Sequence, residues 1–256
     1  MYRNILNGIF NFIFITALCL LIIISSVKFT VHFKPLYYYD INKLNIESIS
    51  NLSRSEIINN YNYLVNFISS PANNLNFKIP SFPASREGII HFYEVKSIFN
   101  KLNYILYFCL LISVIGILLN IKRHDYIFLK WCSIILISSQ IIILLPIIID
   151  FNKSFTYFHK ILFNNNYWLF NEKTDPVIKI LPEPFFFHCV LLFVGIIIII
   201  SCILAIVSLK FNSKKNNTNS LLRKKYHWTR FAKVKHMDFM WRLYYIWIKK
   251  LKYSTL

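Results

Sequence analysis

The stretches that would face water lack cysteine. All five Cys (Cys19, Cys109, Cys132, Cys189, Cys202) fall within long apolar runs. No disulfide framework or thiolate metal site is therefore available outside those runs, and the thiols read as small apolar fillers. Glycine is also scarce, at 4 of 256 residues, and acids number 11 against 29 Lys and Arg. No G-x-S-x-G elbow, H-E-x-x-H helix, P-loop or dinucleotide fingerprint occurs. These absences exclude the commonest serine-hydrolase, zincin and nucleotide-dependent signatures.

What is present is hydrophobicity, at 56% of residues, above the roughly half usual for soluble domains. It is concentrated in four runs, at about 8–27, 102–121, 127–149 and 185–209. A bilayer core needs about 20 apolar residues per helix. Lys130 is the only Lys, Arg, Asp or Glu in these runs. IIILLPIII and FVGIIIIISCILAIV have no polar face, which argues against buried helices of a soluble protein. The first run has no small-residue cleavage site after it and reads as a retained anchor.

The net charge of +18 raises nucleic-acid binding, but its distribution argues otherwise. Arg3, Lys122, Arg123 and the tail from Lys210, with 13 basic residues and one acid, lie on one side of the runs. The loop 28–101 carries 8 basic and 5 acidic residues, and the loop 150–184 carries 4 of each. That is the positive-inside pattern, with cytoplasmic termini, two outward loops and no nucleic-acid partner. Residues 1–209 form the expected membrane core. Residues 210–256 form a basic amphipathic tail suited to the anionic inner leaflet.

Local patterns fill in the outward loops. Val27–Lys34 alternates apolar and polar residues and predicts a strand leaving the membrane, with a second short strand at Phe77–Ile79. Ser53 and Glu56 form a capping box ahead of an amphipathic helix over Leu52–Ser70. Ser85 opens a helix that runs into the second span. Glu87, His91 and Glu94 share one face of it, with spacings of four and three. In the second loop, Phe151, Phe155, Phe158, Leu162 and Phe163 make an apolar helical stripe with His159 beside it. Asn164–Asn166 ends that helix. Tyr167–Phe170 is an aromatic cluster suited to headgroup depth. Asp175–Pro176 and Glu183–Pro184 read as helix starts. The fold expected is mainly α and integral to the membrane: four spans with a small α/β extracytoplasmic domain built from the two outward loops.

His91 and His159 emerge next to the membrane and suit proton transfer near neutral pH. Their spacing carries no metal signature, so neither metal nor cofactor is expected. A zinc-dependent membrane hydrolase using His91, Glu94 and His159 is one alternative. A non-enzymatic four-span sensor or assembly factor, with the two histidines far apart, is another.

The segments LSRSEIINNYNYLVNFI, SREGIIHFYEVK and FTYFHKILFNNNYWLFNEKTDPVIKILPEPFF, in this order around four spans, resemble the bacterial lipoprotein intramolecular transacylase (Lit) family over about residues 5–210. Glu94 stands where the family usually has Asp, and Phe92 where it usually has Met. The resemblance implies a plasma-membrane acyltransferase acting on diacylated lipoproteins. It would move the sn-2 acyl chain of the diacylglyceryl group to the α-amine of the N-terminal Cys, giving a lyso-form lipoprotein. It also implies that His91 and His159 are the catalytic pair at the outer leaflet. Lys96, Asn166 and Trp168 are candidate donors to the oxyanion. Glu87, Glu94, Asp175 and Glu183 complete the supporting set. The partners expected are the lipoprotein substrate and membrane lipids, with the chain acting as a monomer.

Overall fold

The computed structural model describes residues 2–72 and 75–211. The tail helix expected beyond these lies outside the described residues. The chain divides into two compact units, 1–205 and 206–256; of the second, only 206–211 are described, and they are helical. The helices are α1 (Tyr2–His32), α2 (Lys34–Lys43), α3 (Ile46–Ser50), α4 (Arg54–Ser69), α5 (Arg86–Lys122), α6 (Ile127–Ile149), α7 (Phe151–Leu162) and α8 (Glu183–Phe211). A single 3₁₀ turn, Pro176–Lys179, precedes α8. Four of these, within α1, α5, α6 and α8, are long and apolar enough to cross a membrane.

No strand occurs among the described residues, so the expected α/β character of the outward domain is corrected to all-helical. Val27–His32 continues α1, where the His32 ring nitrogen Nδ1 meets the Lys28 carbonyl at 2.7 Å. Phe77–Ile79 has no regular secondary structure and pairs with no strand. The reason lies in backbone hydrogen bonding. A lone extended segment at a membrane exit has no ladder partner, whereas a prolonged helix satisfies its own amides. The burial pattern follows, with Thr30 buried and Phe29 exposed on different sides of one helix.

Two cores hold the fold. Within the spans, Phe14, Leu18 and Cys19 of α1 pack with Phe128, Cys132 and Leu136 of α6 and Ile197 of α8. Gly116 lets α5 approach α1, since a Cβ there would lie 2.0 Å from a Phe14 ring carbon. Outside, α4 starts at the expected capping box, with Ser53 accepting from the Glu56 amide. Its apolar face joins Tyr37, Ile41 and Ile46 of α2 and α3, Phe77 and Ile79 of the loop, Phe92 of α5 and Val177, Ile180 and Phe185. Tyr37 and Tyr61 stack at 3.7 Å, and the Tyr37 hydroxyl donates to the Ile180 carbonyl at 2.8 Å. The fully buried Asp40 is paired with His188 at 2.8 Å, tying α2 to the start of α8. These contacts fix the N-terminal end of α5.

Candidate active site

At 37 residues, α5 is about 55 Å long, while the hydrocarbon core is about 30 Å thick. Leu102–Ile121 is its apolar portion, so the first four turns stand outside that core. Ser85 caps the helix by accepting from the Gly88 amide at 2.9 Å. Asp175, from the second loop, accepts the Ser85 amide at 2.8 Å and a hydrogen bond from Thr174 Oγ1 at 2.7 Å. Gly88 makes room for it, since a Cβ would lie 2.3 Å from Asp175 Oδ1. The sequence suggests Asp175 as the cap of its own short helix. Its side chain makes no such bond and instead holds the first turn of α5.

His91 follows one turn later and is 6% exposed. Phe163 and Phe170 meet its ring edge-on at 4.7 and 5.5 Å. Phe170 also stacks on Phe92, which stacks on Phe77, so the pocket wall continues into the core outside the spans. His91 Nδ1 is buried without a hydrogen bond, 4.0 Å from Glu94 Oε2.

The second histidine arrives on α7, capped by Asp150, which accepts the Lys153 amide at 3.0 Å. His159 sits in its last turn, with Nδ1 2.8 Å from the Phe155 carbonyl. A carbonyl only accepts, so Nδ1 carries the proton and neutral Nε2 keeps its lone pair. Trp168 stacks on the ring at 4.8 Å, and its indole donates to the Asn165 carbonyl at 3.0 Å. The two imidazole centroids are 6.1 Å apart, with their planes inclined by 37°.

Burial dominates the electrostatics. It pushes His91 down to about 4, with the neighbouring His159 adding to the effect. Burial also lowers His159, and the hydrogen bond to the Phe155 carbonyl opposes this. Both rings are thus neutral at neutral pH, and His159 is set to accept a proton at Nε2.

The other expected site residues divide. Glu94 reaches the pair, with Oε1 accepting from Asn165 at 2.7 Å. Trp168 is buried against His159. Glu87 is exposed, and so is Asn166, whose backbone carbonyl accepts from Leu169. Lys96 is buried, with its ammonium 4.6 Å from the Phe67 ring centroid, on the α4 side of the helix. Glu183 stands at the start of α8 with Oε1 buried and without a hydrogen bond. Asn165 and the Phe163–Phe170 wall are the functional positions that sequence reasoning misses. The Asn164–Asn166 triplet signals a polar turn but not which amide points inward. Among the described residues, no three His, Cys, Asp or Glu side chains are placed to hold a metal ion.

Four apolar helices with two facing imidazoles outside their apolar portions define a multi-pass membrane protein with a paired-histidine site. The family described as lipoprotein intramolecular transacylase Lit matches residues 12–186. The in meso structure of the membrane integral Lit of Bacillus cereus is 33% identical, with a TM-score of 0.80, over 83% of this chain and 99% of that one. Two further structures of the Bacillus cereus protein, with a histidine replaced by arginine or by alanine, are each 32% identical, with TM-scores of 0.76 and 0.75. They cover 85% and 84% of this chain and 96% and 97% of their own. No curated protein sequence matches the chain. The chain belongs to the lipoprotein intramolecular transacylase family and is an acyltransferase of lipoprotein processing.

Proposed function

We propose that the protein moves the sn-2 acyl chain of an S-diacylglyceryl lipoprotein to the α-amine of its N-terminal Cys, with His159 as general base and His91 serving the leaving glycerol oxygen. The carrying observation is the neutral imidazole pair at 6.1 Å. An α-amine has a pKa of about 8, so it is mostly protonated at neutral pH and attacks only after losing a proton. His159 Nε2 is free for that proton because Nδ1 is committed to Phe155. His159 passes the ammonium's first proton to solvent; the nitrogen–carbon bond then forms, the ester carbon–oxygen bond breaks, and a second proton passes from nitrogen, by way of His159, to the glycerol oxygen. His91 lies against both the base and the aromatic wall. It donates to the leaving oxygen and is replenished from His159. Donor and acceptor share one molecule, so positioning supplies much of the rate. Ester-to-amide transfer is downhill and requires no cofactor.

The apolar spans supply the surroundings for acyl chains, with membrane lipid on their exposed faces. Basic residues favour cytoplasmic termini, placing the histidines at the outer leaflet of the cell membrane, with residues 1–209 as the catalytic core of a monomer. The short distance between the histidines favours transfer over the sensor reading, which requires them apart. The product is an isomer of the substrate, so intact mass is uninformative. The test uses purified protein with an S-diacylglyceryl-Cys lipopeptide lacking Lys, following loss of the amine-reactive terminus and N-acyl-Cys fragments in tandem mass spectra. His91→Ala and His159→Ala should each abolish conversion; wild-type conversion by either variant overturns the assignment.

A further inference from the structure

We propose that Asn165 is a positioning residue that locks the two histidines into one geometry, an inference that rests on the paired-histidine reaction above. Its side chain reaches one half of the site and its backbone the other. The amide Nδ2 donates to Glu94 Oε1 at 2.7 Å, across 71 residues of sequence. The amide oxygen accepts from the Tyr167 backbone at 3.0 Å, which fixes which end of the amide faces Glu94. The Asn165 carbonyl accepts the Trp168 indole at 3.0 Å, and that indole stacks on His159.

The consequence lies at the far oxygen of Glu94. With Oε1 held by Asn165, Oε2 is aimed at His91 Nδ1 and stands 4.0 Å from it. Both atoms are buried and neither has a hydrogen bond. The groups facing His91 are therefore Glu94 from its own helix and His159 from α7. A proton placed on His91 during transfer meets a carboxylate already aligned, and a small closure completes a charge-assisted bond. Without the Asn165 donor, the carboxylate is free to turn toward solvent, and the Trp168 stack loses its register with α5. A buried polar group left unpaired is costly, so the pair reads as a gap that closes during turnover.

Asn165→Asp separates this role from a purely local one. It keeps the acceptor for the Tyr167 amide and the carbonyl for Trp168, but sets carboxylate against carboxylate at Glu94. In the full-length protein, kcat should fall about tenfold or more with KM nearly unchanged. The deficit should shrink at low pH, as two facing carboxylates come to share one proton. Glu94→Gln keeps the shape but not the charge; it should show the same kcat loss with no recovery at low pH. If Asn165→Asp fails to fold, by melting temperature, Glu94→Gln decides. Wild-type kcat across pH in the folded variants, with His91→Ala and His159→Ala inactive, overturns the positioning role alone. Wild-type conversion by the histidine variants overturns the paired-histidine reading and this inference with it.

Discussion

The two histidines stand on unlike supports. His91 rides on a 37-residue helix whose first turns are packed into an aromatic core and capped by Asp175 from a distant loop. His159 rides on α7, a 12-residue helix with no buried residue. Its Ile161 is 82% exposed, and Tyr157, Phe158 and Leu162 are exposed beside it. What holds α7 is its junction with α6, the Phe155–Phe186 and Phe151–Phe187 contacts with α8, and the Trp168 stack. One half of the site is thus a fixed wall, while the other is a short amphipathic helix with an exposed apolar face. Such an arrangement would let a substrate with two acyl chains approach past α7 while His91 keeps its place.

This asymmetry is open to direct attack. The largest effect belongs to the chemistry on both sides. Removing either imidazole should cost about 10²–10⁴ in rate, read as loss of N-acyl-Cys formation, with melting temperature changed more by His91→Ala because that ring is buried. Next, Trp168→Ala leaves the wall intact but frees His159. Conversion should fall about tenfold. The acidic limb of the kcat/KM profile should also move up. In the wild type, burial holds His159 below its ordinary value near 6.5, so protonation, and loss of the base, set in only below that pH. Hydrating the ring returns that limb toward about 6.5. An unmoved limb would show that Trp168 does not shield the base. A separate drop near pH 4 should mark His91 and stay in place in this variant.

Gly88→Ala strikes the wall instead. The methyl group would lie 2.3 Å from Asp175 Oδ1, which is held by Ser85 and Thr174, so the first turn of α5 must shift. Overpacking of about 1–3 kcal/mol outweighs the helix-propensity gain of about 1 kcal/mol. A lowered melting temperature and a slower transfer are expected; unchanged values for both would remove Asp175 from the support of His91. The smallest effect is expected at Ile161→Ser on the exposed face of α7, with stability altered by less than about 0.5 kcal/mol in detergent. A larger loss of stability there would mean that α7 is packed rather than lipid-facing.

Much of this was legible in residue order. Four apolar runs are necessary spans because each is long and uncharged. The Ser53–Glu56 box and the Ser85 cap declare helix starts through side chains three residues from the amides they receive. His91 and His159 stand out as imidazoles just beyond the apolar runs. All of these signals depend on neighbours three or four residues apart, or on composition over about twenty.

Other features depend on residues far apart in the chain. The alternation after Val27 reads as a strand, yet the chain stays helical because nothing lies beside it to pair with. Asp175 looks like its own cap until the loop brings it to Ser85, 90 residues away. Lys96 lies near His91 in sequence but on another side of α5, against Phe67. Within the asparagine triplet, Asn165 rather than Asn166 meets Glu94. A turn has no periodicity that announces which way its side chains point. Sequence alone established the membrane architecture and both imidazoles; their distance, their tautomer-setting and carboxylate partners, and the aromatic wall around them arise only when loops 71 to 90 residues apart are packed together.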